Sequence, residues 1–223
     1  MTAAVTRWWL IRHAPVINPE RLIYGQRDVL ADTSNEADFA GLAQTVPRRA
    51  VWLETPLQRT RATAAAILDA GDFHSEIPRP TPIVVPDLIE QNFGDWQGIS
   101  HQQLCDSRKG EDHPFWLAPA LERPPGGESF MELVARVAIA MLDQSARHVG
   151  QDIVAVCHGG TIRGALAVAL GLDPERALAF RIDNLSLTRI DRLELDGRPP
   201  AWRVEAVNLP PGAGATTRAS AVA

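Results

Sequence analysis

The sequence predicts an α/β fold, a three-layer α/β/α sandwich around a mostly parallel central sheet, and three observations support this class. Apolar runs of strand length alternate along the chain with segments of helical period, which is the order of βαβ units. The run DIVAVC at 152–157 is apolar enough for a strand that is buried on both faces. A chain of 223 residues suits one domain with a full core. We therefore expect a single domain over residues 1–208.

Six strands are expected, and each is a short apolar or alternating run. In chain order they lie at 7–12, 50–54, 81–86, 152–157, 185–195 and 201–208. The third is the weakest, because prolines bracket it. The last two alternate apolar and polar residues around the turn DGRPP, so we expect a closing pair nearer an edge of the sheet.

The first expected helix lies at 55–71 and has signals at both ends. Thr55 is expected as its N-cap, Pro56 occupies the first helical position, and Gln58 completes a capping box. Gly71 provides a C-terminal stop. These signals predict a helix directly after the second strand.

Three further helices are expected toward the C-terminal end. The segment 129–142 begins with Ser129 and Glu132, which form an S-x-x-E capping box, and its apolar residues follow the helical period. The segment 161–171 is apolar nearly all round, so we expect it to pack between other elements. A short helix is expected within 173–180, where aspartate and proline stand at the start.

Composition and charge restrict the classes of function. Hydrophobic residues make up 45% and charged residues 22%, as in ordinary globular domains. The net charge of −5, without a Lys/Arg cluster, argues against nucleic acid and membrane surfaces as partners. The N-terminal apolar run is too short for a signal peptide or for a span of roughly 20 residues. Two cysteines make no disulfide framework, so we expect a reducing compartment, the cytoplasm, and the pattern-free segment 209–223 is expected to be a disordered tail.

Two of the expected strands end in a histidine. LIRH places His13 after the first strand, and AVCH places His158 after the fourth. Ligands of such sheets bind beyond the carboxyl ends of the strands. Although one histidine at a strand end is usually a hydrogen-bonded loop residue, two of them indicate a shared site.

The residues around these histidines suit an anion, and phosphoryl transfer needs cationic donors, an in-line nucleophile and an acid. Arg12 precedes His13, and glycines in CHGGT can present N–H groups at a helix start. Arg59 and Arg61 lie about 200° apart on a helical wheel, so at most one of them faces a given pocket. A phosphate pocket is therefore expected at this edge of the sheet.

Five motifs in order resemble those of a known family. They are the pair Arg12-His13, then TPLQRTRATA, LIEQNFGDWQG, PPGGES and CHGGTIR, which together span the chain from about Arg7 to Asn208. The sequence resembles the histidine phosphatase superfamily, which has the phosphoglycerate mutase-like fold, and it looks closest to the α-ribazole phosphatase-type members. The resemblance implies a phosphatase that acts on a small phosphomonoester and uses neither a cofactor nor a metal. It leaves the oligomeric state open.

The resemblance also implies the roles of individual residues. His13 would be the nucleophile that becomes phosphohistidine, and Glu90 would protonate the leaving alcohol and then activate water. The phosphoryl oxygens would be held by Arg12, Arg59 and His158. Contacts to the rest of the substrate are expected from Tyr24, Gln26, Gly127, Glu128 and Gly159. No His/Asp/Cys spacing in the chain suggests a metal site.

The chain departs from the family pattern at three places. Ala14 stands where the family usually has glycine, so function is expected to survive unless that position needs a positive φ. Gln97 stands where a second glutamate is usual, and we expect this to alter substrate preference more than the chemical step. The segment from Ser100 to Gly127 is short compared with true phosphoglycerate mutases, which favours hydrolysis.

Three alternatives remain open from the sequence. Cys157 and Arg163 have the C-x5-R spacing of cysteine-dependent phosphatases, although Cys157 also suits a buried strand. A mutase of the phosphoglycerate type and a phosphate-binding module without turnover are the others, and only turnover requires Glu90. Trp116 is expected as part of a lid. The remaining histidines are expected to be surface residues: His74, His101, His113 and His148.

Overall fold

The fold is a six-stranded mixed sheet between two layers of helices. The computed structural model of the chain describes residues 4–74, 76–108 and 113–213. The strands are β1 (Val5–Arg12), β2 (Val51–Glu54), β3 (Ile83–Val84), β4 (Asp152–Cys157), β5 (Leu187–Leu193) and β6 (Ala201–Leu209). Their spatial order is β3-β2-β4-β1-β5-β6, in which the first four are parallel and β5 pairs antiparallel with both β1 and β6. This confirms the predicted class and the closing pair at one edge.

Six α-helices lie in the described part of the chain. They are α1 (Glu36–Thr45), α2 (Gln58–Asp69), α3 (His101–Ser107), α4 (Phe130–Arg147), α5 (Gly159–Leu170) and α6 (Pro174–Ala177). The capping box of Ser129 and Glu132 at the start of α4 is confirmed. The prediction that Thr55 caps α2 is wrong, because the N-cap is Leu57 and no side chain caps this helix. α1 and α3 were not expected from the sequence patterns.

The alternation of side chains along the strands separates two cores. Trp8 and Leu10 of β1 pack under α4 and α5, whereas Trp9 and Ile11 pack on the other face, under α1 and α2. All four side chains are buried. A strand covered on both faces needs apolar residues at successive positions, which is why β1 reads as a continuous apolar run.

The register of β1 and β4 brings the two strand-end histidines together. Arg12 pairs with Cys157 in the parallel ladder, so the residues that follow them leave the sheet side by side. The backbone N–H of His13 extends the ladder by donating to the Cys157 carbonyl at 3.0 Å. The helices on both faces therefore enclose a polar site at the carboxyl edge of the sheet.

The expected C-terminal tail begins inside the last strand. β6 ends at Leu209, so the tail expected at 209–223 overlaps the strand by one residue, and residues 214–223 lie outside the described part. Within 4–74, 76–108 and 113–213, the helices are all too short or too polar to cross a membrane.

Candidate active site

His13 is held as a neutral imidazole with one defined tautomer. Its Nδ1 lies 2.7 Å from the Ala14 carbonyl oxygen, which can only accept, so Nδ1 carries the proton and Nε2 keeps its lone pair. Only 1% of the residue is exposed. Burial, reinforced by the nearby charges of Arg59 and Arg12, holds the pKa of His13 well below its usual range. His13 therefore presents an unprotonated nitrogen at neutral pH.

Side chains that the sequence did not reveal fix the backbone around His13. The Ala14 N–H donates to the Thr63 hydroxyl at 2.9 Å, and the Asn184 amide donates to the His13 carbonyl at 2.8 Å. Ala14 is fully buried and is not among the residues with positive φ. This position accordingly does not need glycine for its conformation.

The two site arginines are oriented by backbone carbonyls. Arg59 is fully buried, and its terminal nitrogens donate to the carbonyls of Arg27 at 2.8 Å and Gly25 at 2.5 Å. Arg12 donates from Nη1 to the Ile182 carbonyl at 2.6 Å. Because carbonyls carry no full charge, both guanidinium groups keep most of their positive charge available to an anion.

The helical-wheel prediction for α2 is confirmed. Arg59 points into the site, whereas Arg61 lies 3.7 Å from the Glu54 carboxylate and its side chain is 54% exposed. The two arginines thus have separate roles, and only Arg59 belongs to the pocket.

His158 lies beside His13, with ring centroids 5.2 Å apart. Its Nε2 is 3.0 Å from the Thr55 hydroxyl, so Thr55 orients this ring instead of capping a helix. His158 is fully buried, and burial followed by the Arg59 charge holds its pKa well below the usual range. The Thr55 hydroxyl can donate to this Nε2, and Nδ1 of the neutral ring then carries the proton.

Three buried nitrogens converge on this region without a partner. Arg12 Nε, Arg59 Nε and His158 Nδ1 make no hydrogen bond to any described residue. An unsatisfied buried donor costs roughly 1–3 kcal/mol, so such groups in a native site are matched to a ligand. With His13 they form what we call the phosphoryl pocket, and its donors suit the oxygens of a bound anion.

Glu90 stands at the edge of the phosphoryl pocket and is 7% exposed. Its carboxylate accepts the N–H groups of Gln91 at 2.9 Å and Gly160 at 3.2 Å. A Cβ built on Gly160 would collide with Glu90 Oε1, so glycine permits this approach. Glu90 lines the same cavity as Arg12.

That cavity has a volume of about 330 Å³ and becomes apolar away from the phosphoryl pocket. Its apolar lining includes Leu22, Ile23 and Phe93. The segment 113–117, which we call the aromatic wall, also lines it and includes Trp116, whose role as part of a lid stays a prediction. The site therefore combines an anion-binding end with an apolar end.

Tyr24 and Gln26, which were expected to contact substrate, have different surroundings. Tyr24 lines the cavity, and the Arg59 guanidinium lies over its ring at 5.0 Å from the centroid. The Gln26 amide donates to the Glu90 carbonyl at 2.9 Å, and its backbone N–H donates to Gln97 Oε1 at 2.6 Å. Gln26 and Gln97 thus hold the loops that carry the site.

Gly127 and Glu128 are engaged in bracing the loop after Glu90. The Glu128 carboxylate accepts the Asn92 N–H at 2.9 Å and pairs with Arg136 at 2.7 Å. A Cβ on Gly127 would collide with the Asn92 carbonyl. The Glu128 side chain is thus used to hold this loop. The expected contact of Gly127 and Glu128 with substrate stays a prediction.

The geometry around Cys157 does not suit a thiolate nucleophile. Cys157 is fully buried in the core under α4 and α5, and burial raises the pKa of its thiol. Arg163 donates from Nε to the Phe180 carbonyl at 2.8 Å. Gly159 lies close to both Arg163 and Arg12. A Cβ added at this position would be 3.2 Å from Arg163 Nη1 and 3.4 Å from Arg12 Nε.

His113 was expected at the surface, and this expectation is wrong. Its side chain is only 10% exposed and donates from Nε2 to Glu175 at 2.7 Å. Nδ1 accepts the N–H groups of Phe115 at 3.2 Å and Trp116 at 3.0 Å. His101 also lines the cavity, although it is exposed.

No group of three or more His, Cys, Asp and Glu side chains is arranged to hold a metal ion within the described ranges.

Comparison with known proteins agrees with this geometry. The model of the histidine phosphatase superfamily, branch 1, matches residues 8–208. The probable phosphoglycerate mutase GpmB of Enterobacter sp. (strain 638) is 28% identical over 200 residues, which cover 88% of this chain and 90% of the relative. The bifunctional protein Rv2228c of Mycobacterium tuberculosis is 28% identical over 194 residues, and the match covers 82% of this chain but 49% of that longer protein.

Solved structures agree in fold. The mycobacterial glucosyl-3-phosphoglycerate phosphatase Rv2419c superposes with a TM-score of 0.78 at 23% identity, covering 92% of this chain and 99% of that one. The α-ribazole phosphatase of Shigella flexneri gives a TM-score of 0.68 at 25% identity, covering 91% and 96%. The predicted fold and the predicted family resemblance are both confirmed.

Proposed function

The chain belongs to the histidine phosphatase superfamily, and on that premise we propose that it is a metal-independent phosphomonoesterase. His13 is the nucleophile, Glu90 is the general acid and base, and the substrate is a small phosphorylated metabolite. We further propose that the protein acts in the cytoplasm.

One observation carries the proposal. The donors Arg12 Nε, Arg59 Nε and His158 Nδ1 are buried without a partner. The two arginine charges and the His158 ring act on a neutral His13 whose Nε2 keeps a lone pair. Donors of this kind stabilise charge that spreads over phosphoryl oxygens in the transition state. A neutral imidazole is a competent nucleophile toward phosphorus.

The reaction proceeds in two balanced steps. His13 Nε2 attacks phosphorus, the bond from phosphorus to the alcohol oxygen breaks, and Glu90 gives its proton to that oxygen. The phosphohistidine keeps its proton on Nδ1, which still donates to the Ala14 carbonyl. A water molecule then attacks phosphorus as Glu90 takes its proton, which releases phosphate and restores neutral His13.

The names of the relatives include both mutases and phosphatases, so the balance for this chain depends on its own features. The short segment between Ser100 and Gly127 supports hydrolysis, because a mutase must shield its phosphohistidine from water. The position of Glu90 supports turnover over simple binding, since a phosphate-binding module has no need of a carboxylate there.

The test is hydrolysis of 4-nitrophenyl phosphate with excess chelator by wild type, His13→Ala and Cys157→Ser. We expect activity that resists the chelator, survives Cys157→Ser and disappears in His13→Ala. An inactive Cys157→Ser variant beside an active His13→Ala variant would transfer the role to the thiol. Loss of activity with the chelator would contradict metal independence.

An inactive wild type would contradict the phosphatase proposal, and exchange of labelled phosphoryl groups between phosphoglycerates would then separate a mutase from a binding module.

A further inference from the structure

We propose that the cavity selects phosphomonoesters whose alcohol is apolar or aromatic and carries no charge of its own. This inference rests on the proposed phosphatase activity and adds the class of leaving alcohol. It concerns the apolar part of the cavity, which is lined by Phe93 and the aromatic wall.

The distribution of charge in the cavity is the first argument. Among the described residues that line it, Arg12 is the only arginine or lysine, and it belongs to the phosphoryl pocket. The neighbouring ionisable group is Glu90, an acid that supplies no positive charge to a second anion. A carboxylate on the alcohol would thus enter an apolar space without a cation of its own, which is unfavourable.

The aromatic wall is a built feature, which is the second argument. Glu175 in α6 accepts from His113 Nε2 at 2.7 Å and from the Ala120 N–H at 2.7 Å. His113 in turn accepts the backbone N–H groups of Phe115 and Trp116. The Glu175 carboxylate therefore holds the segment from His113 to Ala120, which contains the aromatic wall, at both of its ends.

Four further contacts fix the Trp116 ring. Its Nε1 donates to Gln91 Oε1 at 2.9 Å, and the Arg163 guanidinium lies 4.6 Å from its ring centroid. Phe93 and Phe130 pack on it with centroids at 6.0 and 6.1 Å. Because the indole nitrogen is already bonded, the ring offers the cavity an apolar surface.

Phe115 is the third argument. Its side chain lines the cavity although the residue is 58% exposed. An exposed phenylalanine beside Pro114, Trp116 and Leu117 gives a contiguous apolar patch, and such patches mark binding sites for apolar groups. An aromatic ring of the substrate would pack on this surface, and both apolar surfaces would be removed from water.

The experiment compares three substrates whose leaving oxygens are all primary alkoxides. They are ethyl phosphate, 2-phenylethyl phosphate and the para-carboxylate of 2-phenylethyl phosphate. We expect kcat/KM for 2-phenylethyl phosphate to exceed that for ethyl phosphate by about tenfold or more, as burial of an aromatic ring implies. We expect the para-carboxylate to lose about tenfold or more relative to its uncharged parent.

Variants of the wall provide the matched test. Phe115→Ala should reduce the preference for the phenyl group, and Phe115→Arg should raise kcat/KM for the para-carboxylate relative to the uncharged parent. Leu121→Ala is the control, because Leu121 is 72% exposed and is not among the residues that line the cavity. It should keep all three wild-type values.

The outcomes separate the two proposals. Hydrolysis of all three substrates with equal or better use of the para-carboxylate overturns this inference and leaves the phosphatase proposal standing. The same preferences in both Phe115 variants as in wild type overturn the assignment to the aromatic wall. Failure to hydrolyse any of the three substrates and 4-nitrophenyl phosphate overturns both.

Discussion

The phosphoryl pocket and the aromatic wall border one cavity, but they are built in opposite ways. His13, Arg59 and His158 are at most 1% exposed, and backbone carbonyls or a hydroxyl orient them. Phe115 in the wall is 58% exposed and presents only apolar surface. The first region directs several buried polar groups at a single anion, whereas the second offers an apolar surface on which many apolar groups could pack.

The difference shows how chemistry and selectivity are divided. Buried donors with fixed geometry can stabilise charge in a transition state, but they cannot distinguish one phosphomonoester from another. In our proposal the wall contacts the part of the substrate that differs between phosphomonoesters. Changes in the pocket should therefore alter the chemical step, and changes in the wall should alter the choice of substrate.

The largest expected effect is at Glu90, where the two regions meet. Glu90→Gln keeps an acceptor oxygen but removes the transferable proton, so kcat/KM for 2-phenylethyl phosphate should fall by about 10²–10⁴. 4-Nitrophenyl phosphate has a better leaving group and should lose much less in the first step, so that phosphohistidine accumulates. Label on the quenched enzyme that is stable in base but lost in acid, as expected for a phosphorus–nitrogen bond, measures this. Equal losses for both substrates, without accumulated intermediate, would contradict the assignment.

A second prediction concerns the pH dependence of stability, which the pocket should dominate. His13 and His158 have pKa values held well below 6.5 in the folded protein, so they stay neutral while the unfolded chain binds protons below pH 6.5. The folded state should lose up to about 1.4 kcal/mol per histidine for each pH unit below 6.5. Urea unfolding at pH 7.5, 6.5 and 5.5, in buffers without phosphate, measures the free energy of unfolding.

The matched variants for this prediction are His13→Asn and His158→Asn. Each should remove one histidine's share of the decline between pH 6.5 and 5.5. A decline of the same size in both variants and in wild type would show that other groups cause it.

The smallest expected effect is at Glu175, which acts on the wall through His113. Glu175→Gln loses one of two acceptor bonds, worth about 1 kcal/mol, so KM for 2-phenylethyl phosphate should rise a few-fold while kcat is kept. Ethyl phosphate kinetics should not change, and Glu36→Gln in α1, beneath the other face of the sheet, is the control. A fall in kcat for both substrates would place Glu175 with the chemical step.

Local patterns explain which elements the sequence could predict. β4 and α4 carry strong signals, an unbroken apolar run and a complete capping box. α1 has only Phe39 and Leu42 buried, so its apolar pattern is weak. The segment from Thr55 to Gln58 has the pattern of a cap, but nothing local shows that the Thr55 hydroxyl is bonded to a histidine.

The sequence by itself predicted that His13 and His158 lie at one edge of the sheet, because parallel strands place their carboxyl ends there. The pairing of β1 with β4, which brings them side by side, belongs to the tertiary structure. Only the tertiary structure decided how these rings are oriented and what the other end of the cavity is made of. Thr55 and His158 are 103 residues apart in the chain, and His113 and Glu175 are 62 apart. Hydrogen bonds between residues so far apart produce no periodic pattern in the sequence. They form only when separate elements pack together, whereas local patterns predict each element by itself.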